Sequence, residues 1–424
     1  MGIALVLVPV VLMLLGFPIF IVLLSAATVF VLFFAKVPAE VLQQVMFGGV
    51  ANYSLLAIPF FLFAGEVMAQ GGIAKRIVDW VLAMIGSLRG SLPLATVGTA
   101  AIIGSMSGTS ATDTATVGRL LLPSLDKAGY DPRFSAGLVV SIGSVAIVIP
   151  PSIAMILFGA SAEQSVPRLF AAGIVPGLLI TLIVAAYVMW YARSHGVSER
   201  NAFKAVGFAK ATLAGVWALG MPFVILGGIY TGLFSATESA GVASIYAVLV
   251  SRFIYRDVSW RQIWDMAGEA MYRTSQILVI VAAAAVFSWM LTISGSAASA
   301  ATFIKELTGS PVIVLMAVNV LLLVVGCFLD PVSAILVLTP LLLPIVTQAG
   351  VDPVHFGIIM TVNLSIGMFT PPFGLNIFVA QSVLGIPLKT IYAGLGPFIV
   401  LQIIALAIVS YVPALSLWAT RFVG

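Results

Sequence analysis

The stretch Leu120–Pro132, LLLPSLDKAGYDP, returns 221 residues later as Leu341–Pro353, LLLPIVTQAGVDP, without a gap. The register continues, with Ser144 falling on Ser365 and Pro150-Pro151 on Pro371-Pro372. Twelve of the 38 positions from 120 to 157 are identical to their partners, where composition alone would give roughly 3. Leucines align by chance in an apolar chain, so the weight rests on the prolines, the glycine and the aspartate. One offset held across both turn and helix residues marks a duplicated module.

Both copies follow one plan. Two apolar arms come first, over 88–126 and 310–347, each pair separated by small and polar residues. An arm of about 15 residues extends only ~22 Å as helix, too short for a ~30 Å hydrocarbon core. Each region therefore reads as a re-entrant hairpin with its tip near mid-membrane. A polar turn follows, Asp126 to Arg133 or Thr347 to Pro353, and then a helix that breaks at the double proline and resumes. Proline removes a backbone donor and clashes with the preceding turn, so two in succession interrupt a helix. In lipid such free backbone groups are tolerated only where they line a protein cavity or meet an ion.

Composition agrees that lipid is the solvent. Hydrophobic residues make up 61% of the 424, charged residues 8%, and mean hydropathy is +1.19. A soluble chain carries about a quarter charged residues, and the continuous apolar runs exclude the alternating strands of an outer-membrane barrel. The chain reads as an all-α polytopic membrane protein. Its net charge of +4 is spread over short loops, as orientation signals are. The single cysteine, Cys327, excludes an intramolecular disulfide and a cysteine-based metal cluster. His195 and His355 stand apart near loops. The apolar run Met1–Phe34 is too long for a cleaved signal peptide and reads as mature helix. Gly16 and Pro18 allow two short helices there, and the side of the N-terminus is left open.

Candidate spans fall near 3–34, 54–70, 134–162, 170–192, 212–231, 236–254, 275–293, 355–384 and 391–415. Amphipathic segments near 38–50, 73–86, 259–272 and 298–308 are expected to lie along the membrane surface as braces. The polar loop 193–210 divides the halves. Charge tells the two copies apart. Arg89, Lys127 and Arg133 surround the first hairpin base, whereas 308–311 and 347–355 hold no Lys or Arg. By the positive-inside rule the first base is cytoplasmic and the second external. The repeats are then inverted, and inverted repeats with discontinuous helices are a signature of secondary transporters with a midplane site.

The first tip reads GSMSGTS over Gly104–Ser110, followed by ATDT to Thr114. Hydroxyls and backbone carbonyls form oxygen cages for small hard cations, and a half-helix starting near Ser110 offers N–H groups to an anion. The plain alternative is that small residues let the arms pack closely. Asp113 has three readings: it coordinates a cation, exchanges a proton, or pairs with Arg119. The second tip, GCFLDPVS, carries Asp330, which either faces an ion or caps the helix starting at Pro331. The breaks VIPPS (148–152) and FTPPFG (369–374) expose carbonyls, and Asn363, Asn376 and Gln381 add polar groups to the second copy.

An enzyme is not expected. The run Ser105–Gly108 has a nucleophilic look, but neither histidine sits in a helix facing it. Asp131 recurs as Asp352, which fits a turn or cap before Pro132 and Pro353 better than a metal site. A channel lacks the reason for paired hairpins.

The GSMSGTSATD tip, the LLLPxxxxAGxDP repeat, the IPPS and TPPFG breaks and the segment IPFFLFAGEVMAQGGI (58–73) resemble the large membrane subunit of TRAP transporters, the DctM type. The resemblance covers essentially the whole chain. It implies a bacterial or archaeal cytoplasmic-membrane protein driven by a sodium gradient, with no cofactor beyond Na+ as coupling ion. It also implies a small four-helix membrane subunit, here a separate chain, and an extracytoplasmic protein that delivers an organic acid. Scaffold and brace would occupy 1–87 and 166–308, an elevator-type transport domain 88–165 and 309–388, and a last helix 389–424. Carried onto this chain, one cation site uses Ser105, Ser107, Gly108 and Thr109 with Ile149 and Pro150. The other uses Cys327, Asp330 and Ser333 with Thr370 and Pro371. Solute lies between them, near Ser110, Asp113 and Asn376.

Overall fold

The computed structural model describes residues 9, 11–13, 15–35, 37–38, 40–86, 88–196, 204–296, 299, 302 and 310–423. Among them every regular element is helical. The run expected at 3–34 is broken by a turn at Gly16 (φ +79°) before α1 (Ile19–Phe33) begins. α2 (Glu40–Val50), α3 (Ala57–Gln70) and α4 (Ile73–Ile85) lead into the first hairpin, α5 (Ser91–Ser107) and α6 (Ser110–Lys127). The first broken helix is α7 (Pro132–Val148) with α8 (Ile153–Ala162), bent by 42°. Then come α9 (Val166–Ser194), α10 (Ala205–Tyr230), α11 (Ala236–Leu249) and α12 (Trp260–Ile293). The second module is the hairpin α13 (Pro311–Gly326) and α14 (Pro331–Gln348), the broken pair α15 (Pro353–Gly367) and α16 (Leu375–Leu384), and α17 (Leu388–Tyr411). Six of the described helices are long and apolar enough to cross a membrane, seven if α7 and α8 count as one bent span.

The repeat is written into the element boundaries. Shifting α6 by 221 residues lays Ser110–Lys127 on Pro331–Gln348, the bounds of α14. The shared AGxDP turn explains why. Gly129 and Gly350 take φ of +81° and +85°, where a side chain would be strained, and so end the hairpin arm. Asp131 then accepts a hydrogen bond from the Arg133 amide at 2.7 Å, and Asp352 from those of Val354 (2.8 Å) and His355 (3.1 Å). Each aspartate caps a helix whose first residue is proline, where a missing N–H costs nothing.

Packing follows the same exchange. α6 rests on α16 as α14 rests on α8, and α1 runs along α12 as α11 runs along α3. α7 and α15 meet at the centre, and nearly all of their residues are buried. A helix that is buried all round must be apolar all round, which explains their lack of a polar face.

Two expectations are revised. The brace at 259–272 and the span at 275–293 are one continuous helix, α12, of 34 residues. Between Ser259 and Ile293 no proline occurs and Gly268 stands alone, so nothing stops propagation after the Ser259–Gln262 capping box starts it. The amphipathic segment 73–86 is a helix, α4, whose apolar face packs on protein. Ile73, Ala74, Ile77, Val78 and Val81 are buried, and Arg76 is pinned to Asp257 at 2.6 Å with its guanidinium 3.7 Å over the Tyr255 ring. The hairpin arms hold 16 to 18 residues rather than about 15, and α14, of 18 residues, is both long and apolar enough to be compatible with a span. The brace expected at 298–308 lies almost wholly outside the described residues.

Candidate functional site

The two hairpin tips face one another across a cavity of about 840 Å³. Gly108, Thr109 and Ser110 of the first tip and Asp330 and Ser333 of the second line it, together with Ile153 and Ala154 after the first break and Met368 and Leu375 around the second. α12 adds Arg273, Ser275 and Gln276. The volume suits a small organic molecule.

At the first tip the chain turns in two residues. Gly108 takes φ +62°, and a Cβ there would lie 3.0 Å from the carbonyl oxygen of Pro151. Glycine is required twice over, for the left-handed turn and for direct backbone contact between tip and break. Ser105 Oγ donates to the Ile102 carbonyl at 2.6 Å, and Ser107 Oγ donates to Asp113 Oδ1 at 2.7 Å. The other oxygen of Asp113 is buried without a hydrogen-bond partner. Ser110 and Asn376, from different modules, hydrogen-bond each other, and Asn376 also donates to the Val140 carbonyl at 3.2 Å.

The second tip is built differently. Asp330 accepts from the Ser333 amide at 3.1 Å and from its hydroxyl at 2.6 Å, which is the N-cap of α14. Cys327 Sγ donates to the Leu323 carbonyl at 3.1 Å. Thr370 Oγ1 returns to the Ile366 carbonyl at 2.7 Å. Both Pro-Pro bonds, 150–151 and 371–372, are cis. The first break is buried and the second is exposed, so the two tips meet different surroundings.

Of the residues singled out from sequence, Gly108, Thr109, Ser110, Asp330 and Ser333 border the cavity. Ser105, Ser107, Ile149, Pro150, Cys327, Thr370 and Pro371 are not among the residues that line it. Asp113 and Asn376 are completely buried: Asn376 hydrogen-bonds the cavity-lining Ser110, and Asp113 hydrogen-bonds Ser107, which is not in the lining. Asp113 makes no ion pair with Arg119, which is exposed, so the pairing of those two is not found. Asp330 does cap α14.

Arg273 is the residue that sequence reasoning missed. Its Nε donates to Glu269 Oε1 at 3.0 Å, and its Nη1 lies 3.7 Å from Glu66 and 3.5 Å from the Thr112 hydroxyl. Among the described lining residues, it and Asp330 are the charged ones. The signal was present in the one-turn spacing of Glu269 and Arg273 inside an apolar stretch. The expected seam between brace and span fell on it.

Paired hairpins and broken helices around one cavity define a multi-pass helical membrane transporter. The chain matches, over residues 6–415, the family described as tripartite ATP-independent periplasmic transporter, DctM component, and belongs to that family of permeases of the bacterial cytoplasmic membrane. It is 37% identical to the isethionate TRAP transporter permease DctMQ of Oleidesulfovibrio alaskensis over 95% of this chain, spanning 64% of that protein's length. It is 39% identical to the C4-dicarboxylate large permease DctM of Pseudomonas aeruginosa, covering 88% of this chain and 87% of that one. It is 36% identical to the ectoine large permease TeaC of Halomonas elongata, covering 96% of both. In fold it is similar to the YdaH transporter of Alcanivorax borkumensis, with a TM-score of 0.59 over 88% of this chain and 89% of that one at 16% identity. Such a family is a class of carrier, not of enzyme.

Proposed function

We propose that this chain carries an organic acid anion inward, coupled to Na+, after an extracytoplasmic binding protein delivers it, and that a separate small four-helix subunit completes the permease. The observation carrying this reading is the single cavity that gathers both hairpin tips and presents Arg273 to its interior. A guanidinium in a wall of hydroxyls and apolar side chains, with Asp330 as the other charged lining residue, favours a carboxylate or sulfonate. Isethionate and C4-dicarboxylates, for which two of these relatives are named, belong to that class.

Na+ is the coupling ion in this reading because the donors near the tips are hydroxyls, carbonyls and carboxylates, which suit hard cations. The unpartnered buried oxygen of Asp113 is the kind of group a cation satisfies. One ion would sit among Ser105, Ser107, Gly108 and Thr109 with the carbonyls of Ile149 and Pro150. The second would use Cys327, Asp330 and Ser333 with Thr370 and Pro371. The exchange of packing partners fits two repeats related by a two-fold axis, and the difference in charge between the two hairpin bases supports their inversion. Residues 88–165 and 309–388 then move as an elevator against 1–87 and 166–308.

The test is uptake by proteoliposomes holding this chain, its small subunit and its binding protein. A panel of labelled C4-dicarboxylates, sulfonates and sugar acids is offered with an imposed Na+ gradient. Accumulation of one acid that collapses without Na+ supports the reading. Accumulation indifferent to Na+ rejects the coupling.

A further inference from the structure

A second cavity, of about 810 Å³, adjoins the first. It is framed by the end of α3, the start of α4, the middle of α6 and the end of α16. Ala111, Thr112 and Arg273 line both cavities, so they form the wall between them. The charged groups of the second cavity are Lys75, Arg119, Arg273 and Glu66, three cations against one anion. Neither Lys75 nor Arg119 is in an ion pair among the described residues. Unpaired cations in a recess with low-dielectric walls concentrate anions.

Position gives the cavity a side. It extends from the tip of the first hairpin toward the base that carries Lys127 and Arg133, and toward Lys75 and Arg76 of α4. Positive charge gathers on the cytoplasmic face. Arg273 stands at the wall with its side chain 42% exposed; Glu269 holds its Nε at 3.0 Å, while Glu66 lies 3.7 Å from its Nη1. A half-exposed pair at that length is weak, and a bidentate carboxylate competes well for a guanidinium.

We propose that the second cavity is the anion-selective cytoplasmic release vestibule, and that Arg273 hands the substrate into it by exchanging Glu66 for the substrate's carboxylate or sulfonate. This rests on the reading of the chain as an organic-anion carrier.

The vestibule can be tested without knowing the substrate. Thr116 lines the second cavity and not the first. In a Cys327→Ser background, which removes the only native thiol, Thr116→Cys is exposed in inside-out vesicles to two methanethiosulfonates. One carries a sulfonate, the other a trimethylammonium, and each rate is divided by the rate with free cysteine. The sulfonate is expected to react about tenfold faster than the cation. That preference should fall several-fold in Arg119→Gln and in Arg273→Gln and persist in Arg273→Lys. Equal rates, a cation preference, or reaction only from the external face would overturn the vestibule. A preference that survives Arg273→Gln overturns the hand-over role. Because labelling requires neither Na+ nor transport, failure of Na+-coupled uptake leaves this result standing, and the reverse also holds.

Discussion

Asn376 and Ser110, 266 residues apart in sequence, clasp the two modules together. Asn376 Nδ2 donates to Ser110 Oγ at 2.7 Å, and its Oδ1 lies 3.0 Å from the same hydroxyl. Ser110 opens the second arm of the first hairpin, and Asn376 follows the break of the second module. Both are buried, so neither finds water when its partner is removed. The clasp therefore ties one tip to the opposite break at the edge of the cavity.

Removing either partner leaves a buried polar group unsatisfied, at a cost of about 1–3 kcal/mol. Asn376→Ala and Ser110→Ala should each lower thermal stability, and the double variant should lose less than their sum. A double-mutant cycle in denaturation checks this, with a coupling energy of at least about 0.5 kcal/mol expected for groups in direct contact. Additive losses would show that the two residues act separately.

Asp113 is fully buried and hydrogen-bonded on one oxygen only. Asp113→Ala should abolish or strongly impair uptake. Asp113→Asn keeps the shape but loses the charge, and should raise the Na+ concentration for half-maximal uptake by about tenfold, the equivalent of one charge-assisted contact. Na+-titrated uptake in proteoliposomes reads both. Unchanged uptake in Asp113→Ala assigns this carboxylate to packing.

Gly108→Ala places a Cβ against the Pro151 carbonyl at a positive φ, while Gly129→Ala meets only the positive φ, with open space around it. Strain alone costs about 1 kcal/mol. Gly129→Ala should show roughly that loss in thermal stability with uptake retained. Gly108→Ala should lose more stability and most uptake, because the tip is pushed off the break. Equal behaviour of the two variants would mean that the tip–break contact carries no function.

The direction of the repeats is open to labelling of single cysteines in the Cys327→Ser background. Gln348→Cys should react with a membrane-impermeant maleimide on intact cells, and Lys127→Cys only after cells are opened. Labelling of both from one side would make the modules parallel and remove the basis for alternating access between inverted halves.

The hairpins and broken helices are legible because turn chemistry is local. AGxDP dictates an arm end, a cap and a new helix with few tertiary contacts, and Pro-Pro interrupts any helix whatever surrounds it. The length of α12 is not legible from amphipathicity. Residues 259–272 change from a polar face to an apolar one at Arg273 without any backbone signal, so periodicity sees two segments where the chain propagates one. The same seam hides Arg273. Asp330 is ambiguous because a carboxylate before proline serves a cap and an ion equally well until its partners are seen.

By itself the sequence determined that this is a helical membrane protein built from a duplicated hairpin-and-break module, because apolar length, proline and glycine act within a few residues of themselves. Only the tertiary structure decided which polar groups share a space. Asp113 and Asn376 are buried outside the cavity lining, Arg273 is part of it, and the adjoining basic recess assembles from α3, α4, α6, α12 and α16. Such convergence depends on how distant helices pack, and the spacing of residues along one chain does not encode the distance between two.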